Sequence, residues 1–141
     1  MSSLEQLLRD PGSAGVLALA PDELRMIDEA VADAGLQLIR ISLADCRDKA
    51  SALARIGLAL GAPSGPARNY DALADQLRDL GWRPPGGHVF QFDDADALRA
   101  VAPLVFDALA EILAEAAHAW ADRQQPFWAF FALHDADDAT A

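Results

Sequence analysis

Cysteine occurs once in the 141 residues, at Cys46, so no disulfide can form within the chain. A lone thiol of this kind reads as a small apolar packing residue of a helix. Basic residues are scarce as well. Eleven Lys and Arg, with Lys49 the sole lysine, stand against 22 Asp and Glu, for a formal charge of −11. That balance argues against nucleic acid as a partner, because phosphate contacts need clustered cations. It argues equally against an anionic membrane surface, whereas a cationic protein would be attracted. No apolar run reaches the length of a membrane span. The opening "MSSLEQLLRDPG" lacks the basic end and apolar stretch of a secretion signal, so a cytoplasmic protein is expected. There is no Gly-x-Gly-x-x-Gly, no phosphate loop and no Gly-x-Ser-x-Gly elbow. His88, His118 and His134 are too scattered, and too far from Cys46, for a zinc site. Glu115 and His118 form one Glu-x-x-His pair, where a di-iron bundle needs two. No catalytic residue, metal or other cofactor is expected.

What remains is a chain that should fold: 52% hydrophobic and 23% charged, outside the disordered range. Apolar runs alternate with amphipathic stretches. "GVLALA" (residues 15–20) reads as a strand. A helix is predicted to open at Pro21 with Asp22 as its N-cap, burying Leu24, Ile27, Val31 and Ala34 and stopping at Gly35. "LQLIRIS" (36–42) fits a strand covered on both faces. A helix from about Asp45 to Leu60 carries Ala50, Leu53, Ile56 and Leu60 inward. After the loop "APSGPAR" comes a helix over 69–80 closed by Gly81, then the loop "WRPPGG" and the strand "HVFQF". A short helix interrupted by Pro103, a long helix to about Asp122 with Trp120 on its inner stripe, and a buried strand "PFWAFFAL" complete the series. The order predicts an α/β fold with a small, largely parallel sheet of three to four strands packed with helices. Residues 1–14 form a possible short helix, 15–133 a single domain, and 134–141 an acidic tail.

The stretch "ARNYDALADQLRDL" concentrates the chemistry. At 100° per residue, Asp71, Asp75 and Asp79 fall at about 0°, 40° and 80°, whereas Leu73, Leu77 and Leu80 fall at about 200°, 240° and 180°. One side of the helix is acidic and the opposite side apolar. Each like-charged i,i+4 pair costs about 0.2–0.5 kcal/mol. Asn69 is a good N-cap, and the helix dipole favours Asp71, but it does not favour Asp79 near the negative end. Two readings stay open on spacing alone. Either the row is a solvated face with local ion pairs to Arg68 and Arg78, or it is a binding surface for cations.

"RNYDALADQL" resembles the signature of the barstar family, a pattern close to Gly-x-Asn-aromatic/Leu-Asp-Ala-Leu-x-Asp-x-Leu. The surrounding order fits too: an apolar strand and a helix before it, then Gly81-Trp82, an apolar strand, a long helix and a last strand. The likeness spans about residues 36–133, with the first 35 as an N-terminal extension. The resemblance implies a barstar-like fold and a non-enzymatic bacterial inhibitor of antitoxin or immunity type. Such a protein plugs the cationic cleft of a basic ribonuclease with an acidic helix and the loop before it. It implies Asp75 as central anchor with Asp71 beside it, Asn69, Tyr70 and Leu73 in supporting places, and Glu115 on the later helix facing the enzyme. Asp79 extends the acidic row, and Trp82 is a candidate for the rim. Ala67, Gly65-Pro66 and Ala74 depart from the family pattern, which has glycine at the first place, an aromatic pair before it, and in some members a large aromatic at the last.

Two alternatives accompany this reading. The same surface could serve a regulatory module for a different cationic protein or toxin. Alternatively Asp93, Asp94 and Asp96, just beyond a strand, could hold Mg²⁺ for phosphoryl transfer. A helix start enriched in acids, which the dipole favours, is the plainer reading of those three.

Overall fold

The computed structural model describes Leu8, residues 15–84 and residues 86–134. The expected first helix and acidic tail lie outside the described residues, apart from Leu8 and His134. Four strands, β1 (Gly15–Leu19), β2 (Gln37–Ser42), β3 (His88–Asp93) and β4 (Phe127–Ala132), form one sheet in the order β1-β4-β3-β2. All three pairings are parallel. The helices are α1 (Pro21–Leu24), α2 (Ile27–Ala34), α3 (Lys49–Leu60), α4 (Tyr70–Asp79), α5 (Asp96–Val101) and α6 (Pro103–Asp122).

Central position explains the most apolar segment. Every residue of β4 is buried. Phe127, Ala129 and Phe131 enter a core shared with α3, α4, α5 and α6, while Trp128, Phe130 and Ala132 enter a second core with Leu24, Ile27, Ala30 and Val31. Alternation along the strand thus feeds two faces, giving three layers. Phe92 stacks on Phe131 at 4.7 Å between ring centroids, and Phe106 closes on Phe131 at 5.0 Å.

Local details differ from expectation where a long-range or capping contact decides. The second helical region starts from Ala20, not Asp22: Glu23 Oε1 accepts the Ala20 N–H at 2.9 Å, and the helix breaks after Leu24 into α1 and α2. Strand β2 is a sheet edge. Its Arg40 is exposed and reaches Asp93 at 3.1 Å and Asp28 at 3.8 Å, so only Ile39 and Ile41 are fully buried. Helix α3 begins at Lys49, capped by Asp48, which accepts from Ser51 N at 2.8 Å. Cys46 therefore lies in the turn before it, buried, with its thiol pKa raised by that burial. Ala52 replaces Ala50 on the inner stripe, and Ala50 is exposed.

Candidate functional site

Helix α4 starts where Asn69, in extended conformation, accepts the Ala72 N–H at 2.7 Å through its side chain. That bond satisfies one of the orphan donors of the first turn. Leu73 and Leu77 are each 1% exposed and Leu80 is 2% exposed, all within the larger core. Asp71, Asp75 and Asp79 are all exposed on the other side. Gly81 does not close the helix. Leu80 takes the left-handed conformation itself, with φ of 50°, because its side chain is pulled into the core.

The three carboxylates differ in what holds them. Among the described residues Asp71 has no hydrogen bond or ion pair. Asp75 pairs with Arg78 at 2.5 Å, both side chains well exposed, an arrangement worth at most about 1 kcal/mol and readily exchanged for a better partner. Asp79 accepts the Gly81 N–H at 3.2 Å. Among the described residues no arginine from another element pairs with the row.

The loop before the helix is pinned at two points, and a third contact joins the helix ends on either side. The backbone of α3 approaches it so closely that a Cβ on Gly57 would lie 2.4 Å from Pro66 Cβ. Gln76 Nε2 donates to Gly65 O at 2.9 Å. The Trp82 indole N–H donates to Leu60 O at 2.8 Å, tying the exit of α4 to the end of α3. Gly65 takes a left-handed conformation with φ of 86°, whereas Ala67, which stands where the family pattern has glycine, is buried without positive φ. Loop and helix enclose a cleft of about 580 Å³ lined by Pro63, Ser64, Asp75, Gln76, Asp79 and Trp82.

The fold therefore brings Asp75, Asp79 and Trp82 together, with Asp71 and Asn69 on the same helix. Tyr70 is half-buried against the core, and the single lysine, Lys49, sits 4.2 Å over its ring. Glu115 is exposed on α6, the helix packed against α4, but does not line the cleft. Gln76 went unnoticed in the sequence. It lies at about 140° on the same wheel, between the acidic and apolar sides, and that flank position was the available signal.

The rival acids are engaged elsewhere. Asp93 meets Arg40 at 3.1 Å and the Gln91 amide at 2.9 Å, and Asp94 accepts from Ser42 Oγ at 3.4 Å. Asp96 binds the His134 ring at 2.6 Å. Burial alone would raise the Asp96 pKa, but its hydrogen bonds and charge contacts to His134, with Arg99, outweigh it and hold the pKa below the ordinary value. Among the described residues no three His, Cys, Asp or Glu side chains are grouped to hold a metal ion. None of the described helices is long and apolar enough to cross a membrane.

Comparison with known proteins adds three findings. Residues 36–132 match the family model described as Barstar (barnase inhibitor). No curated protein matches the chain. Among solved structures it is similar in fold to a chain in the structure of Drosophila ORC bound to DNA, with a TM-score of 0.57 and 13% identity. That match covers 93% of this chain, which spans about a third of the other, 35%. At such identity the likeness is one of shape. The family match takes in the sheet strands β2, β3 and β4, the acidic helix and the loop before it, and with it the chain belongs to the barstar family of inhibitors.

Proposed function

We propose that this protein silences a basic ribonuclease by occupying its active-site cleft, without chemistry of its own. A cleft that holds RNA phosphates must be cationic, and carboxylates on a rigid helix can take the phosphate positions. The observation that carries this reading is the solvent-facing row Asp71, Asp75 and Asp79 on a helix whose opposite side is sealed into the core. Asp75 is the anchor, exchanging Arg78 for arginines of the enzyme that bind it through two hydrogen bonds. Asp71 and Asp79 extend the charge, Asn69 holds the helix start, Trp82 lines the cleft, and Tyr70 and Glu115 are the outer contacts. With 11 more acids than bases, the chain attracts such a partner over about one Debye length, which shortens with salt. A ribonuclease that would attack the cell's own RNA places this activity in the cytoplasm.

The test is titration of the chain into barnase and a panel of basic ribonucleases, following hydrolysis of a fluorogenic RNA. Stoichiometric inhibition of at least one enzyme, weakening as salt rises, is expected. RNA hydrolysis left intact across the panel at low salt overturns the reading.

A further inference from the structure

On the far side of the α4 exit lies a second cavity of about 510 Å³, bordered by Leu80, Arg83, His88, Trp120, Arg123 and Gln125. Three of its features are unusual for a surface hollow. His88, the first residue of β3, is 2% exposed, yet its Nδ1 has no partner. Arg83 Nε is likewise shielded from solvent and unpartnered, the guanidinium making only a 3.3 Å bond from Nη1 to Leu60 O. Arg123 lies with its guanidinium carbon 4.6 Å over the Trp120 ring and donates to Arg78 O at 2.7 Å.

Neither Arg83 nor Arg123 forms an ion pair among the described residues, although acids outnumber bases two to one in the chain. The one carboxylate at the rim, Asp79, is turned to the Gly81 N–H. The cavity is thus locally cationic on a strongly acidic protein. Buried groups with unmet hydrogen-bonding capacity are uncommon in native folds. Two arginines without ion pairs beside an aromatic wall are the pattern of a small-molecule site, and the volume is in the usual range.

We propose that this cavity binds a small organic anion, a carboxylate or phosphate head on an apolar body. The head accepts from the guanidinium groups of Arg83 and Arg123, with the neutral His88 ring in the wall beside them. The body lies against Trp120 and Leu80. Burial first, and the Arg83 charge second, lower the His88 pKa from 6.5 to about 4, so the ring is neutral near pH 7 and the Arg83 charge is felt at the ring. The rings of His88 and Trp120 meet edge to face at 5.2 Å, so a ligand on one is sensed by the other.

The experiment is NMR titration of the full chain with benzoate and phenyl phosphate, benzylamine and benzyl alcohol serving as cationic and neutral analogues. Saturable shifts of the Trp120 indole N–H and the His88 ring with one or both anions are expected, the preferred anion naming the head group. Loss of one charge-assisted contact in Arg83→Gln should weaken binding about tenfold or more, and Arg25→Gln, exposed and paired with Asp22, should leave it unchanged. Should Arg83→Gln fail to fold, Arg123→Gln and the ranking of the four probes on the wild-type chain decide. No saturable shift at these resonances up to about 20 mM anion, or benzylamine or benzyl alcohol binding as tightly as benzoate, overturns the proposal. Ribonuclease inhibition does not enter these readouts, so the two readings stand or fall separately.

Discussion

Replacing Asp75 by alanine separates binding from folding. In the free protein the Asp75 side chain is 74% exposed and its one partner among the described residues is Arg78, itself 43% exposed. Losing that pair costs at most about 1 kcal/mol. The same change removes two like-charge i,i+4 contacts, with Asp71 and Asp79, returning about 0.2–0.5 kcal/mol each. Alanine is also a better helix former than aspartate by up to about 0.7 kcal/mol. The sum is near zero or slightly stabilising, so Tm should stay level or rise by about 1–4 °C. In the complex the balance is one-sided. Two charge-assisted hydrogen bonds, each worth about 1.5–3 kcal/mol, are lost, so affinity should fall by about a hundredfold or more. Asp28→Ala, which removes the same charge from exposed α2 on the other face of the sheet, is the control and should cost no more than about threefold. The assay is the inhibition constant against a responsive ribonuclease, with melting followed by calorimetry. Asp75→Ala inhibiting as well as wild type, or losing as much as Asp28→Ala, would refute the argument. A Tm drop above about 5 °C would mean that Asp75 has a structural duty.

Three further outcomes are expected. Asn69→Ala should lower stability by about 1 kcal/mol, because the Ala72 N–H loses its acceptor, and urea denaturation measures it; an unchanged midpoint contradicts the cap. Gly57→Ala should cost about 1–3 kcal/mol and weaken inhibition, since the new Cβ meets Pro66 backbone at 2.7 Å and must push the loop off α3; normal inhibition would show that the loop position is immaterial. The His88 pKa is lowered to about 4 by burial and Arg83, so the unfolded chain binds the proton more readily. The His88 contribution is therefore complete above about pH 6.5 and is lost as pH falls toward 4, and His88→Phe should flatten the fall in Tm between pH 7 and 5. Parallel slopes for both proteins would rule this out.

The central strands were legible because they are apolar on both faces, and such runs have one comfortable place in a parallel sheet. "FWAFFA" could scarcely be anything but β4. The acidic and apolar sides of α4 were legible because helix period is a local property. The family motif located the acidic row and put Tyr70 in a supporting place beside it. Lys49, 21 residues away, covers that ring, and no local pattern announces such a contact. The same holds for β2. Its composition suits an interior strand, but strand order is set by crossovers, and edge position freed Arg40 to reach two other elements. Leu80 shows a conflict decided by magnitude. A non-glycine left-handed residue costs about 1–2 kcal/mol, comparable to or less than the roughly 1.5–3 kcal/mol from burying a leucine. The side chain therefore wins over the neighbouring Gly81, which local chemistry would have chosen.

The same comparison explains why an acidic row can persist on a helix that it weakens. Two like-charge pairs cost together no more than about 1 kcal/mol. Burial of Leu73, Leu77 and Leu80 contributes several times that, about 1.5–3 kcal/mol each. The orientation of the row is thus set by the core beneath it and not by anything on the surface. A carboxylate set on a frame this rigid has little ordering left to lose when a cation docks, which is the condition for charge to become affinity. The loop before the helix is consistent with that ordering of effects. The left-handed residue is Gly65 and alanine stands at the family glycine's place, while Gly57 and Gln76 still clamp the loop to α3 and α4. The anchor is thereby held constant and the rim altered. Relatives that keep the family glycine should accordingly differ from this chain in which ribonuclease they prefer, and transplanting residues 61–68 between them, with inhibition measured on both enzymes, should carry the preference across while the dependence on the carboxylate of Asp75 stays.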